Sequence, residues 1–333
     1  MSLRLSVLDQ APISEGSTGA DALRNSVDLA TFTERIGYRR YWVAEHHATP
    51  MLACASPEVL IAAIGSATSR IRIGSGGVML PHYSPLKVAE NFSMLSGLYG
   101  DRVDLAVGRA PGSDPVTAFA LQRDRRPAAP DDFPDQLSEL LAYEWSRMPA
   151  AHRFARLANL PAGTARPDVW LLGSSPQSAV WAAELGLPYA FADFINPAGA
   201  GIAAHYRQNY TPSTVNPTPY VMAAIWVLCA DTDEEAWRLA ASSRMAFTLF
   251  MQGTLIPVPP LDKALAFLAE HPEGAEALAR RRRWVVGSPA TVRAGIETLA
   301  ADYQADEMMI VTITYDHAAR RRSYELVADA FAS

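Results

Sequence analysis

The stretch "IRIGSGGVMLPHYSPLKVAENFSMLSGLYGDRVDLAVG", Ile71 to Gly108, holds one complete strand–helix–strand unit. "IRIGSGGVML" is an apolar run of strand length that stops at a proline. Ser84-Pro85 then supplies an N-cap and a first-turn proline, the opening signature of a helix. "SPLKVAENFSMLSGLY" carries the helical pattern, and "RVDLAVG" is a second short apolar run. Strand, helix and strand in succession is the repeating unit of a parallel α/β protein.

The same unit recurs on both sides. Upstream, "LRLSVLD" (Leu3–Asp9) precedes the helical "ADALRNSVDLATFTERIG", which closes on Gly37 as a C-cap. "YWVAEHH" (Tyr41–His47) precedes a helix opened by Ser56-Pro57. Downstream lies an irregular stretch from about Arg109 to Pro130, then a helix over "DDFPDQLSELLAYEW". After Pro167 come "DVWLLGSS" with a helix from Pro176, and "PYAFADF" with a helix near Gly201–Tyr210. "YVMAAIWVLCA" leads into the helix "DTDEEAWRLAASSRMAFTLF", capped by Asp231. A Pro-rich and helical insertion, Gly253–Gly287, follows, and "EMMIVTITYD" with "RRSYELVADAF" makes the eighth unit. Eight such units predict a (β/α)8 TIM barrel with an insertion after strand seven, in a single domain spanning 1–333. A doubly wound open sheet is the alternative, but "DQAPIS" stands where its glycine-rich dinucleotide fingerprint would follow strand one.

Composition narrows the function classes. The chain has 333 residues, 49% of them hydrophobic, and a net charge of −6, which disfavours a nucleic-acid or anionic-membrane binder. Cys54 and Cys229 are the two cysteines, so no disulfide framework is expected and a cytoplasmic setting is the default. No secretory leader or membrane span is expected. Lys87 and Lys263 are the only lysines among 29 Lys and Arg, and neither follows an apolar strand. Schiff-base chemistry is therefore disfavoured.

Active sites of such barrels lie at the C-terminal ends of the strands. That rule gathers Glu45, His46 and His47 after strand two, and Gly76, Gly77, His82 and Tyr83 around the end of strand three. It adds Arg109 after strand four, Ser174 and Ser175 after strand five, Asp193 after strand six, and Tyr315, Asp316 and His317 after strand eight. Gly76-Gly77 would let a flat ligand rest on bare backbone, and would tolerate a cis peptide; a barrel bulge without a ligand is the plainer reading. "LLGSSPQSAVWAAELG" (Leu171–Gly186) has the form of an anion cradle: Gly173, Ser174 and Ser175 lead into a helix starting at Pro176, with Ser178 in its first turn. Ordinary capping by Ser175 would give the same letters. Arg109 would supply the matching fixed charge. A metal site is disfavoured, because adjacent histidines point to opposite sides of a strand and no HxH or HExxH spacing occurs.

These motifs, in this order, resemble the bacterial-luciferase-like family of flavin-dependent monooxygenases. The resemblance covers nearly the whole chain. It rests on "VAEHH", on "GSGGVMLPHYSPLKVAENFSMLSGLYGDRVDLAVGRAPG", on "WLLGSSPQSAVWAAELGLPYAFADF", and on "VGSPATVRAGIETL" with "MMIVTITYD". It implies the same barrel, an FMN cofactor reduced by a separate flavin reductase, and oxidation of a small organic substrate by O2 through a flavin C4a-peroxide. It implies a homodimer, with 253–287 in the place of a mobile lid. Gly76 and Gly77 would lie beneath the flavin ring as a cis peptide, Arg109 with Gly173, Ser174, Ser175 and Ser178 would hold the phosphate, and His46 would be the catalytic imidazole. An imidazole titrating near neutrality suits that role, with Glu45 either orienting its ring or turned into the wall. His47 is expected to pack into the wall. Gly108 stands where luciferases carry a reactive cysteine, which argues against light emission. A deazaflavin-dependent dehydrogenase, a non-catalytic flavin-binding subunit and a metal-dependent hydrolase are the competing readings.

Overall fold

The computed structural model describes residues 3–110, 114–122, 131–157, 159–163, 165–272 and 284–332. Its strands are β1 (Arg4–Asp9), β2 (Arg40–Val43), β3 (Arg72–Met79), β4 (Val103–Gly108), β5 (Asp168–Gly173), β6 (Tyr189–Ala192), β7 (Val221–Cys229), β8 (Trp284–Gly287) and β9 (Glu307–Val311). Strands β1 to β7 and β9 pair in parallel around a closed ring, β9 to β1 on one side and β6 to β7 on the other. This is the eight-stranded barrel that the repeat predicts.

β8 is a correction, because it lies inside the segment read as an insertion. β7 is longer than its neighbours. Val221–Ala224 pairs with β6, Met222–Trp226 pairs with β9, and Trp226–Cys229 runs on to pair with Trp284–Gly287. The overhanging end of β7 would otherwise expose an unpaired edge, and four residues of "WVVG" cover it.

The described helices are α1 (Gly19–Arg35), α2 (Pro57–Ala67), α3 (Pro85–Tyr99), α4 (Pro115–Leu121), α5 (Phe133–Glu144), α6 (Pro176–Glu184), α7 (Ala200–Gln208), α8 (Asp233–Leu239), α9 (Ala241–Met251), α10 (Leu261–Glu270), α11 (Pro289–Tyr303) and α12 (His317–Ala332). Proline opens α2, α3, α4, α6 and α11, where its missing N–H costs nothing. α4 occupies part of the stretch read as irregular; Asp114 caps it by accepting from the Val116 and Thr117 amides. The single helix expected after β7 is two, α8 and α9, joined at Ala240. Its cap is Thr232, which accepts from the Glu235 amide, not Asp231. No described helix is long and apolar enough to cross a membrane.

Side chains alternate along each strand, and the alternation builds two cores. Leu8, Trp42, Trp170, Met222 and Met309 point into the barrel, while Val7, Tyr41, Leu171, Val221 and Met308 point outward under the helices. One pleat step toward the N-terminal end, the inward positions turn ionic. Arg40 donates to Asp104 at 2.8 Å and to Glu307 at 3.0 Å, and Trp42 Nε1 donates to Asp104 at 2.9 Å. Arg72 reaches Asp104 at 2.6 Å; Ser6 and Tyr220 complete the shell of Glu307. Buried charges survive only when paired and hydrogen-bonded, and here every carboxylate has several donors. The ionic layer closes the floor of the barrel.

Candidate active site

Two adjoining cavities open at the other end, where the strands run out. One, of 470 Å³, is lined by Gly76, Gly77, Gly108, Arg109, Gly173, Ser174, Ser175, Ser178 and Trp181. Every cofactor-binding residue expected from sequence is therefore brought together. The Gly76–Gly77 peptide is cis, and the β3–β4 register shifts there. A Cβ on Gly77 would fall 2.7 Å from the Ala106 carbonyl, so no side chain fits there, and one on Gly76 would fall 2.5 Å from Leu8 Cδ1, which would have to move. A Cβ on Gly108 would meet nothing within 4 Å.

The anion cradle has a free face. Ser175 adopts the extended N-cap backbone of α6, yet its side chain makes no capping bond, so the first-turn N–H groups keep their donors. Ser178 is more committed: its hydroxyl donates to the Ser175 carbonyl at 2.8 Å and lies 2.9 Å from the Tyr189 hydroxyl. Ser178 thus buttresses the turn. Asn196, which the strand-end rule misses, donates to the Ser174 carbonyl at 2.8 Å and holds the turn from the next loop. Arg109 is half exposed, its guanidinium lies 5.6 Å from the Trp181 ring centre, and its only ion pair among the described residues is a loose 3.4 Å contact with Asp131. Such an exposed pair holds the side chain weakly, so Arg109 stays available to a phosphate.

The second cavity, of 460 Å³, is walled by Met51, Leu52, Phe194, Trp226, Phe247 and Leu255. None of these was singled out from sequence, because an apolar residue in a core and one in a substrate wall look alike. Gln10, His46, Phe194 and Ile195 line both cavities. His46 therefore stands at their junction.

The histidine pair sorts itself differently from expectation. Glu45 is fully buried, but it holds His47, not His46: His47 Nε2 lies 2.6 Å from Glu45 Oε1, which also accepts from the Tyr83 hydroxyl at 2.8 Å. The Met79 amide donates to the other carboxylate oxygen at 2.9 Å. His47 faces the apolar cavity and meets the His82 ring edge-on at 5.9 Å, so it does not pack into the wall. β2 ends at Val43, three residues before the pair, so strand alternation does not govern the two rings, and Ala48 with φ 49 turns the chain right after them. His46 is fixed through its backbone N–H to the Cys54 carbonyl at 2.8 Å, and its Nδ1 is enclosed without a partner. Burial pushes its imidazole down to about 4, so at neutral pH the ring is uncharged. The expectation of titration near neutrality is corrected accordingly.

Other strand-end groups belong to the scaffold. Asp193 accepts from the Tyr303 hydroxyl at 2.7 Å, Asp316 caps α12 through the Ala319 amide, and His317 pairs with Asp28 at 2.8 Å. Among the described residues no three His, Cys, Asp or Glu side chains cluster as metal ligands.

Residues 3–306 match the model of a family described as luciferase-like monooxygenase. A luciferase-like monooxygenase of Escherichia coli is 39% identical over 98% of this chain and 96% of its own length. An N-acetyl-S-alkylcysteine monooxygenase of Bacillus subtilis is 35% identical over 98% of both chains. Among solved structures, apo-MsnO8 superposes with a TM-score of 0.89 at 41% identity, covering 99% of this chain and 98% of the other.

Proposed function

The chain belongs to the luciferase-like monooxygenase family, and from that premise we propose that it binds reduced FMN, supplied by a separate flavin reductase, and uses dioxygen to oxidise a small organic substrate. The observation that carries this reading is the junction of the two cavities. One offers an anion cradle and bare backbone, the other an apolar wall, and they meet at His46 and Gln10.

Arg109, the Ser175 hydroxyl and the first N–H groups of α6 hold the FMN phosphate, the arrangement that helix N-termini provide for anions. Gly76 and Gly77 let the flat ring lie against main chain. Bound reduced flavin supplies the electrons that activate oxygen. Around it this chain's own residues exclude water and manage protons: Trp226, Phe247 and Phe194 wall the substrate side, and neutral His46 accepts or donates a hydrogen bond where the cavities join. Gly253 and Leu255 belong to that wall, which supports reading the chain as one domain with a lid in the segment 253–287, short of the strand β8 that ends it. The basic run Arg280–Arg283 lies outside the described residues.

The test is titration of the purified protein with FMN, riboflavin and a deazaflavin, followed by oxygen consumption with chemically reduced FMN. Aldehydes, ketones, aromatics and S-alkylcysteines form the substrate panel. Preference for FMN over riboflavin, with substrate-dependent oxygen uptake, is expected; tighter binding of the deazaflavin would transfer the site to a dehydrogenase. We also propose a cytoplasmic homodimer. Its candidate face is the outer side of α2 and α3, which expose Val59, Met94 and Leu98. Sedimentation of the wild type against Leu98→Glu reads it directly.

A further inference from the structure

Gln10 is the first residue after β1, and it lines both cavities while only 7% exposed. Among the described residues nothing donates to or accepts from its carboxamide. The carboxamide is open to the cavities and has no protein partner, so a ligand seated there can complete it.

Its position is built, not accidental. Ala11, the next residue, sits in the left-handed region at φ 49, a conformation that persists only when its surroundings impose it. The Asp9 carboxylate accepts from the Ala11 amide at 2.7 Å, and Arg320 and Tyr41 each reach that carboxylate at 2.6 Å. The Ala53 amide donates to the Ala11 carbonyl at 2.9 Å. Gln10 is thus clamped on a rigid turn, with its side chain at the point where the two cavities meet.

Several other polar groups of the apolar cavity already have a protein partner. His47 is held by Glu45, the Thr49 hydroxyl accepts from the Met51 amide, and Asp114 caps α4. The Trp226 indole nitrogen and His46 Nδ1 are unpaired but enclosed by protein. Gln10 presents the cavity two amide donors and a carbonyl acceptor with no protein partner among the described residues, where His46 offers a single ring nitrogen and Thr49 a hydroxyl already engaged on one side. Arg109 stands in the adjoining cavity, and among the described residues the apolar cavity holds no cationic Lys or Arg.

We propose that Gln10 is the positioning residue for the substrate: its carboxamide hydrogen-bonds an uncharged carbonyl or hydroxyl of an otherwise apolar molecule and holds that group at the junction of the cavities. This rests on reading the apolar cavity as the substrate site. Gln10 also lines the cavity assigned to FMN, so cofactor affinity is read separately in every variant.

The experiment uses matched probes and needs no turnover. 4-Phenyl-2-butanone, 4-phenyl-2-butanol and n-butylbenzene share one aromatic body and differ in a single polar group. Each is titrated into the full-length protein by tryptophan fluorescence, with and without FMN. The wild type should bind ketone and alcohol about tenfold more tightly than the hydrocarbon, the worth of one buried hydrogen bond. Gln10→Met should erase that preference while leaving hydrocarbon affinity within about twofold, with FMN affinity measured alongside. Gln10→Glu, which keeps an acceptor and loses its donors, should lose the ketone and retain the alcohol. A wild type that binds all three equally, or a Gln10→Met variant that keeps the preference, overturns the proposal. A protein that shows the preference but fails to bind FMN would leave Gln10 standing and sink the flavin reading instead.

Discussion

The floor and the mouth of this barrel are built from the same strands and follow opposite rules. At the floor, Arg40, Asp104, Glu307 and Arg72 saturate one another, and each charge has at least one close partner. At the mouth, among the described residues, the Gln10 carboxamide and His46 Nδ1 lack partners, and the side chain of the N-cap Ser175 makes no bond to the first turn of α6. Stability is stored where polar groups are complete, and binding capacity is held where they are not. Glu45, paired with His47 and Tyr83, is a satisfied device at the mouth, and it orients a ring toward the cavity.

The contrast can be broken most severely at the floor. Asp104→Asn removes the partner of two guanidiniums and leaves Arg40 buried beside an amide. Breaking a buried pair from one side costs about 3–5 kcal/mol, read as a lowered midpoint in urea unfolding. Equal stability of variant and wild type would mean that the floor is ornamental.

At the mouth, His46→Ala should leave FMN affinity nearly intact and lower substrate oxidation by about 10²–10⁴-fold. More of the oxygen consumed should emerge as hydrogen peroxide. Because Glu45 holds His47, Glu45→Gln should shift the pH profile of turnover less than His46→Ala lowers its rate. If His47→Ala uncouples the enzyme and His46→Ala does not, the acting imidazole is the carboxylate-bound one.

Arg109→Ala should weaken FMN by about 1.5–3 kcal/mol, the range for hydrogen bonds to charged groups, with unfolding stability unchanged. Ser175→Ala should be gentler, about 1 kcal/mol on FMN and nothing on riboflavin; Ser178→Ala should disturb the turn and weaken both ligands alike. Matching losses for Ser175→Ala on the two flavins would remove it from the cradle.

A further effect separates the two ends by pH. Burial holds His46 at about 4, below the ~6.5 of an unfolded histidine. The unfolded chain therefore binds the extra proton first, and stability from this site is complete above pH ~6.5 and declines toward pH 4. Burial works to raise Asp104, but the Arg40 and Arg72 guanidiniums outweigh it and hold it below the ordinary carboxylate value. Its contribution is present above the unfolded carboxylate pKa and is lost only as pH falls through the depressed one. His46→Ala should flatten the unfolding free energy between pH 6.5 and 4, and Asp104→Asn should flatten it only at lower pH.

Much of this was legible before any coordinates. The alternation of short apolar runs with Ser-Pro-opened helices determined the barrel, and the strand-end rule gathered Gly76, Gly77, Arg109 and Ser175 on one face. Gln10 was within reach of the same rule, since it directly follows strand one, but a lone glutamine carries no motif. Those readings succeed because periodicity and capping are local: they depend on residues within a few positions of one another. What only the tertiary structure decided is which partner each polar group finds. Glu45 belongs to His47 because Tyr83 and Met79 arrive from the neighbouring strand end, β8 exists because β7 overruns the barrel, and His46 is neutral because distant apolar groups enclose it. Burial and pairing are set by segments remote in the chain, and no local pattern of letters records which of them will meet.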